Sequence, residues 1–190
     1  MKKLILDTST NLLYVGLLNN EVKDSITRVG SNDNAAYIVN CIDQLLKRNN
    51  LTLDDIKTII VGIGPGSYTG LRASLAVAKM LSYTKKITLK KISSLLLLSS
   101  GYHNEYITAS IDARRGFSFA GTYHNGLEIK ADKYIKTEEL GKDYIVLNDE
   151  TIKVDLSVVS CKAMIVEDVS TIEPNYLRIT EAERNNDQKS

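Results

Sequence analysis

The sequence predicts an α/β protein built as two lobes, the second shorter than the first. Three observations carry that expectation. A strand ending in aspartate opens each half, Leu4-Ile5-Leu6-Asp7 near the start and Tyr106 through Ile111-Asp112 further on. Antiparallel strand signals follow each opening. In the first half, strands then alternate with segments of helical period, so a mixed sheet packed by helices is expected. The expected first lobe covers residues 1–101 and the shortened second lobe 102–175. A polar tail, 176–190, frays or packs back on the first lobe.

The elements follow in order. Residues 13–18 form a second strand, and Asn19-Asn20 turns the chain into a third near 22–29. Ala35, Ile38, Val39, Ile42, Leu45 and Leu46 recur at helical spacing and form one apolar stripe. Asp33 or Asn34 caps this helix, and Asn49-Asn50 ends it. Thr52 with Asp55 reads as a capping box for one helical turn. The β-branched run Thr58-Ile59-Ile60-Val61-Gly62-Ile63 is a central, buried strand. A turn rich in glycine opens a helix over 69–83, residues 87–92 return as a strand, and Ser93 or Ser94 caps the next helix. In the second half, strands are expected at 106–111 and 117–123. Asn125-Gly126 is a two-residue hairpin signal into 127–135. Residues 137–140 make a helical turn. Residues 144–147 and 157–161 follow as strand or mixed structure.

Composition narrows the function. Lys and Arg number 24, Asp and Glu 23, for a net charge of +1. That balance gives the chain alone no electrostatic footprint for nucleic acid. Two distant cysteines, Cys41 and Cys161, do not make a disulfide framework. The apolar run after Met1-Lys2-Lys3 is too short for a signal-peptide core, and no stretch of ~18 apolar residues offers a membrane span. The expected location is the cytoplasm. His103 and His124 are not at ligand spacing, so neither a histidine metal site nor a Ser-His-Asp arrangement is expected.

Three segments could carry chemistry, and each has a plain structural alternative. Gly62-Ile63-Gly64-Pro65-Gly66-Ser67-Tyr68-Thr69-Gly70-Leu71-Arg72 could cradle an anion at a helix N-terminus. It is equally a tight strand-to-helix turn, and it lacks the Gly-Lys-Ser/Thr of a Walker loop. Asp7-Thr8-Ser9-Thr10 could hold a metal-bound water and reach phosphate through its hydroxyls, or be an Asx turn. Asp112-Ala113-Arg114-Arg115-Gly116 could bind an anion or pair internally. The candidate anion or nucleotide residues are therefore Asp7, Thr8, Ser9, Gly66, Ser67, Arg72, Asp112 and Arg114.

These segments, with Ile92-Ser93-Ser94-Leu95 and Tyr176-Leu177-Arg178, resemble the signatures of the TsaB (YeaZ) family in the right order. The run from Gly64 through Arg72 is the most specific of them. The match is dense up to Gly116 and sparse beyond. Ser31-Asn32-Asp33-Asn34 departs from the family's His-Ser-Glu element, and Phe117-Ser118-Phe119 from its Glu-Val-Tyr. The resemblance implies the two-lobed fold of the actin, sugar-kinase and Hsp70 superfamily. It implies a non-catalytic partner of TsaD, working with the ATPase TsaE. That complex places threonylcarbamoyl on adenosine 37 of tRNAs reading codons that begin with A. It implies contact with tRNA only through the complex, a homodimer when alone, and no tightly bound cofactor, with a nucleotide at a partner interface as an option. The rival expectation is an ATP-dependent kinase or ATPase of the same superfamily. Against it, Ser9 and the bulky Arg114 stand where phosphate loops need glycine. A metalloprotease fails for want of a histidine pair.

The helix over 69–83 carries two apolar arcs at ~100° per residue. Leu71, Leu75 and Ala78 form one; Ala73, Ala76, Val77 and Met80 form the other. Arg72, Lys79 and Tyr83 separate them. One arc faces the chain's own lobe. The resemblance implies pairing through the first two long helices, so Ala73, Ala76, Val77 and Met80, joined by Tyr37 and Cys41, are the expected partner surface.

Overall fold

The computed structural model describes residues 1–20, 22–31 and 33–177. Strands β1 (Lys2–Asp7), β2 (Leu12–Leu18) and β3 (Lys23–Val29) form the expected antiparallel meander. Strands β4 (Ile56–Gly62) and β5 (Thr88–Ile92) join it in parallel. The second sheet holds β6 (Tyr106–Asp112), β7 (Phe117–His124), β8 (Leu127–Lys136) and the short β9 (Ile145–Val146). Its order is β8-β7-β6-β9. Asp7 and Asp112 each end the opening strand of their sheet.

Helices α1 (Asn34–Arg48) and α2 (Tyr68–Lys85) cover one face of the first sheet. Their buried side chains meet Leu4, Leu6, Leu13, Val15, Leu17, Ile59 and Val61, the inward set of a period-2 pattern. The opposite set, Ile5, Tyr14, Leu18 and Ile60, meets helix α3 (Ser94–Ser99). All six residues of α3 are buried, and the second sheet contributes Ile107, Ala109, Ile111, Phe119 and Tyr123 to the same core. The two lobes are thus fused through α3. Ser67 and Ser93 cap α2 and α3 by accepting from the N–H groups of Gly70 and Leu96, each at 3.3 Å.

Four details differ from the sequence reading. Residues 157–161 lie in a helix, α4 (Leu156–Lys162), because Asp155 accepts from the N–H groups of Ser157 and Val158 and starts a helical turn. Asp33 occupies the cap position of α1 without capping it, since its carboxylate is taken by Arg28 at 2.6 Å. Ala35 and Val39, placed in the core stripe of α1, are exposed, Val39 at 59%; the stripe runs through Ile38, Cys41, Ile42, Leu45 and Leu46 instead. The chain also returns to the first sheet inside the span assigned to the second lobe. Strand β10 (Met164–Ile165) pairs with β5, and Ile172 packs into the core beneath α1 and α2. Of the expected tail, residues 178–190 lie outside the described residues.

Leu97 is fully buried in the shared core. Leu97→Ala should lower stability by about 2–5 kcal/mol. Urea unfolding followed by circular dichroism and by tyrosine fluorescence should show one transition shifted as a whole. Two separated transitions would contradict a core common to both lobes.

Candidate functional site

A cleft of about 1010 Å³ opens where the lobes meet. One wall is the β1–β2 turn, residues 8–11, with the start of α2, residues 66–70. The other is the end of β6, residues 111–114. Asn175, Tyr176 and Leu177 complete it. Six of the eight residues expected to bind an anion line this cleft: Thr8, Ser9, Gly66, Ser67, Asp112 and Arg114. Asp7 lies beneath it and Arg72 outside it.

Most of the polar groups along the first wall already have partners within the chain. The Thr8 hydroxyl donates to the Gly70 carbonyl at 2.7 Å. The Ser9 hydroxyl donates to Asp7 Oδ1 at 2.6 Å, and its carbonyl accepts from the Ser67 N–H at 2.6 Å. The turn and the helix touch so closely that a Cβ on Gly70 would stand 2.0 Å from the Thr8 carbonyl oxygen. These contacts build a rigid junction between β1 and α2.

Asp7 is 1% exposed and turned away from the cleft. Its Oδ1 accepts from the N–H and hydroxyl of Ser9. Its Oδ2 presses on Gly62, where a Cβ would approach to 1.8 Å. Oδ2 makes no hydrogen bond of good geometry, although the Ser94 hydroxyl stands close enough to offset part of the burial. Burial pushes the carboxyl above its ordinary value, and the Ser9 and Ser94 hydroxyls only partly restore it. A proton on Oδ2 would relieve the unpaired oxygen by donating to Ser94.

On the second wall, Arg114, Arg115 and Gly116 follow one another at φ 66°, 56° and 77°. Asp112 Oδ1 accepts from the Arg114 N–H at 2.8 Å and holds this left-handed loop. Arg114 lines the cleft. Arg72 instead donates to the Tyr68 hydroxyl at 2.7 Å, and Tyr68 stacks on Tyr176 with centroids 5.0 Å apart. Tyr68, Tyr176, Asn11 and Asn34 also line the cleft and were not picked out as site residues. The Tyr176-Leu177-Arg178 signature held a signal for one of them, with Arg178 outside the described residues.

The outer surface of α2 sorts as its period requires. Leu71, Leu75 and Ala78 are buried; Ala73 and Val77, expected on the partner surface, are half-buried against the chain's own core because α2 leans on the sheet along that edge, and only Ala76 and Met80 of that arc are exposed, Met80 at 48%. Lys79 donates to the Ser170 carbonyl at 3.0 Å. Tyr37 on α1 is exposed beneath the Arg28 guanidinium, 3.8 Å from the ring centroid. Cys41 is 5% exposed and packs in the core, so it supports this surface from below and does not present a thiol to it.

The family described as "TsaD: tRNA N6-adenosine threonylcarbamoyltransferase" matches residues 28–184. The chain belongs to this family, on its TsaB (YeaZ) branch. The tRNA threonylcarbamoyladenosine biosynthesis protein TsaB of Bacillus subtilis is 34% identical over 133 residues, covering 67% of this chain and 58% of that protein. The TsaB protein of Escherichia coli is 26% identical over 127 residues, covering 65% and 55%. The matched stretch thus spans less than two thirds of these relatives. Among solved structures, a Pseudomonas aeruginosa protein described as similar to peptidase YEAZ superposes with a TM-score of 0.78 at 22% identity, covering 93% of this chain and 99% of that one. YeaZ from the same organism gives 0.75 at 20% identity, with the same coverage. These likenesses establish the two-lobed fold that the sequence resemblance implied.

Asp7 holds its proton more tightly in the folded chain than in the unfolded one. For this group, stability is greatest at acid pH and falls as pH rises from the ordinary value of 3.8 through the raised folded value. Asp7→Asn stays neutral and can still serve Ser9 and Ser94. Melting temperatures of the two proteins should converge at acid pH, and the variant should gain on the parent toward neutrality. Parallel profiles across the whole range would refute this protonation.

Proposed function

We propose that this chain is a non-catalytic scaffold and activator in making N6-threonylcarbamoyladenosine at position 37 of tRNAs that read codons beginning with A. It acts by binding a TsaD protein. Family membership and the names of its relatives support the pathway. The observation that carries the scaffold reading is the outer face of α2. Ala76 stands opposite the buried stripe with Met80 beside it, and Val39 of α1 adds a further exposed apolar side chain. A surface helix needs only one apolar face for its own lobe. Small residues let another helix approach closely, so the second face suits a partner helix. Self-association through the same surface makes the homodimer expected of the chain alone. TsaE joins through the complex, and tRNA is met there too, since a net charge of +1 gives this chain little phosphate affinity of its own.

The rival reading is an ATP-dependent kinase or ATPase. The cleft between the lobes speaks for it; the way its groups are used speaks against it. Thr8 and Ser9 direct their hydroxyls to internal acceptors, and Asp7 is buried behind the cleft. A nucleotide shared with a partner chain is compatible with this cleft, with Arg114 a cation lining it.

Ala76→Arg should weaken binding to the native TsaD protein, and self-association, by about a hundredfold, the order expected for an unpaired charge in an interface. The exposed position should leave the melting temperature nearly unchanged. Co-purification and analytical ultracentrifugation read the first effect, calorimetry the second. Unaltered binding, or loss of the fold, would show that this face is wrongly assigned. Steady ATP hydrolysis by the purified chain without partners would favour the kinase.

A further inference from the structure

Strand β3 holds α1 to the first sheet by a charge pair at each end. Its inward row, read at period 2, is Asp24, Ile26 and Arg28. Ile26 packs against the core beneath α1. Asp24 accepts from Arg48 at the end of the helix, at 2.6 and 2.9 Å. Arg28 serves the start. Its Nη1 donates to Asp33 Oδ1 at 2.9 Å and to Asn34 Oδ1 at 2.8 Å, and its Nη2 to Asp33 Oδ2 at 2.6 Å. The same guanidinium lies over the Tyr37 ring. A planar fork of donors can bond at its edge and stack on its face at once, so one side chain holds all three residues.

From the start of α1 the contacts run on into the cleft wall. Asn34 is 7% exposed and lines the cleft. Its Nδ2 donates to the Asn11 carbonyl at 2.9 Å, and the Gly30 N–H donates to the same carbonyl at 2.8 Å. Gly30 permits this crowding, since a Cβ there would stand 2.1 Å from Asn34 Oδ1 and 2.7 Å from Arg28 Nη1. Asn11 belongs to the β1–β2 turn that forms the first wall. An unbroken series of contacts thus leads from the outer surface of α1 to the cleft, through Tyr37, Arg28, Asn34 and Asn11.

We propose that Arg28 is a positioning residue for the partner surface: it fixes the Tyr37 ring for a partner chain, and a partner seated on Tyr37 steadies the cleft wall through it. The inference rests on the proposed binding of a TsaD protein through α1 and α2. Tyr37 is 41% exposed, so without support its ring would sample several rotamers and lose them on binding. Binding costs less when a side chain is already held in its bound position. The return effect follows from linkage. Whatever the fixed ring contributes to partner binding, the bound partner gives back as order at Arg28 and at the groups it holds. Lysine in its place keeps the charge, but cannot stack on the ring while serving Asp33 and Asn34.

The test is a double-mutant cycle on binding of the whole chain to the native TsaD protein, combining Arg28→Lys with Tyr37→Ala. Hydrogen exchange at the Gly30 amide is measured in parallel, in the free and the bound protein. Arg28→Lys should weaken binding about two- to tenfold, the range for one side chain that must be ordered on binding. In the Tyr37→Ala background the same substitution should have almost no further effect. Partner binding should slow Gly30 exchange in the parent by about the same two- to tenfold, and leave it nearly unchanged in Arg28→Lys. Direct cover by the partner would slow it in both. Equal losses in the two backgrounds, or equal protection of Gly30 in the parent and in Arg28→Lys, would each overturn the proposal. If Arg28→Lys fails to fold, Asp33→Asn, which frees the guanidinium from its carboxylate, goes through the same cycle and decides. A parent chain that does not bind the TsaD protein would overturn the proposed function, and this inference with it.

Discussion

Four consecutive leucines, residues 95–98, have to leave water together, and neither sheet can cover them alone. A single turn and a half of helix exposes every side of itself, so burying all of it needs a layer above and a layer below. The first sheet supplies Ile5, Tyr14 and Ile60, and the second supplies Ile107, Ile111 and Phe119. At about 1.5–3 kcal/mol for each fully buried leucine, this contact is comparable with the net stability of an ordinary domain. The arrangement of the lobes follows from it. So does the shape of the cleft, which lies where the end of β6 faces the turn after β1.

This constraint bears on what the molecule does. A protein that closes on a ligand needs lobes that move about a few hinge residues. Here a common apolar core spans the boundary, and the serines at the start of α3 tie into both sides. Ser94 accepts from the Gly64 N–H and stands beside Asp7 of the first sheet; Ser93 reaches Asp132 of the second. A shared core of this kind opposes hinge closure over the cleft, in keeping with the scaffold role proposed above. The same economy appears at the β1–α2 junction, where side chains that could meet phosphate brace the backbone instead.

Much of the fold was legible because strong periods leave few alternatives. The continuous β-branched run of β4 and the strand-aspartate openings set the sheets, Ser67 and Ser93 set the helix starts, and Asn125-Gly126 set the hairpin. The misreadings have local causes. Val39 and Ile42 both fit a helical stripe, and only the position of α1 over β2 decides which edge of that stripe is wet. Residues 157–161 contain Val158-Val159, a strand-like pair, and the capping aspartate two residues before the segment outweighed it. Of the site, the cleft-lining glycines, hydroxyls and Arg114 were readable from motifs. The burial of Asp7 behind Gly62 was not, nor was the turn of Asp132 toward Ser93. Both depend on contacts between segments more than thirty residues apart, for which spacing along the chain holds no signal.

The return of the chain to the first sheet has a consequence during synthesis. Strand β5 gains its outer neighbour from residues 164–165, the Val166 N–H donates to the Leu89 carbonyl, and the Asn175 N–H donates to the Ile63 carbonyl. Until those residues leave the ribosome, the first sheet has an open edge at β5 and the core under α1 and α2 lacks Ile172. Domains commonly fold from the N-terminus as they emerge. This one cannot finish its first lobe that way. The nascent chain must hold an unpaired edge through the making of the entire second sheet, and the lysines at 90 and 91 on β5 are placed to discourage strangers from pairing with it meanwhile.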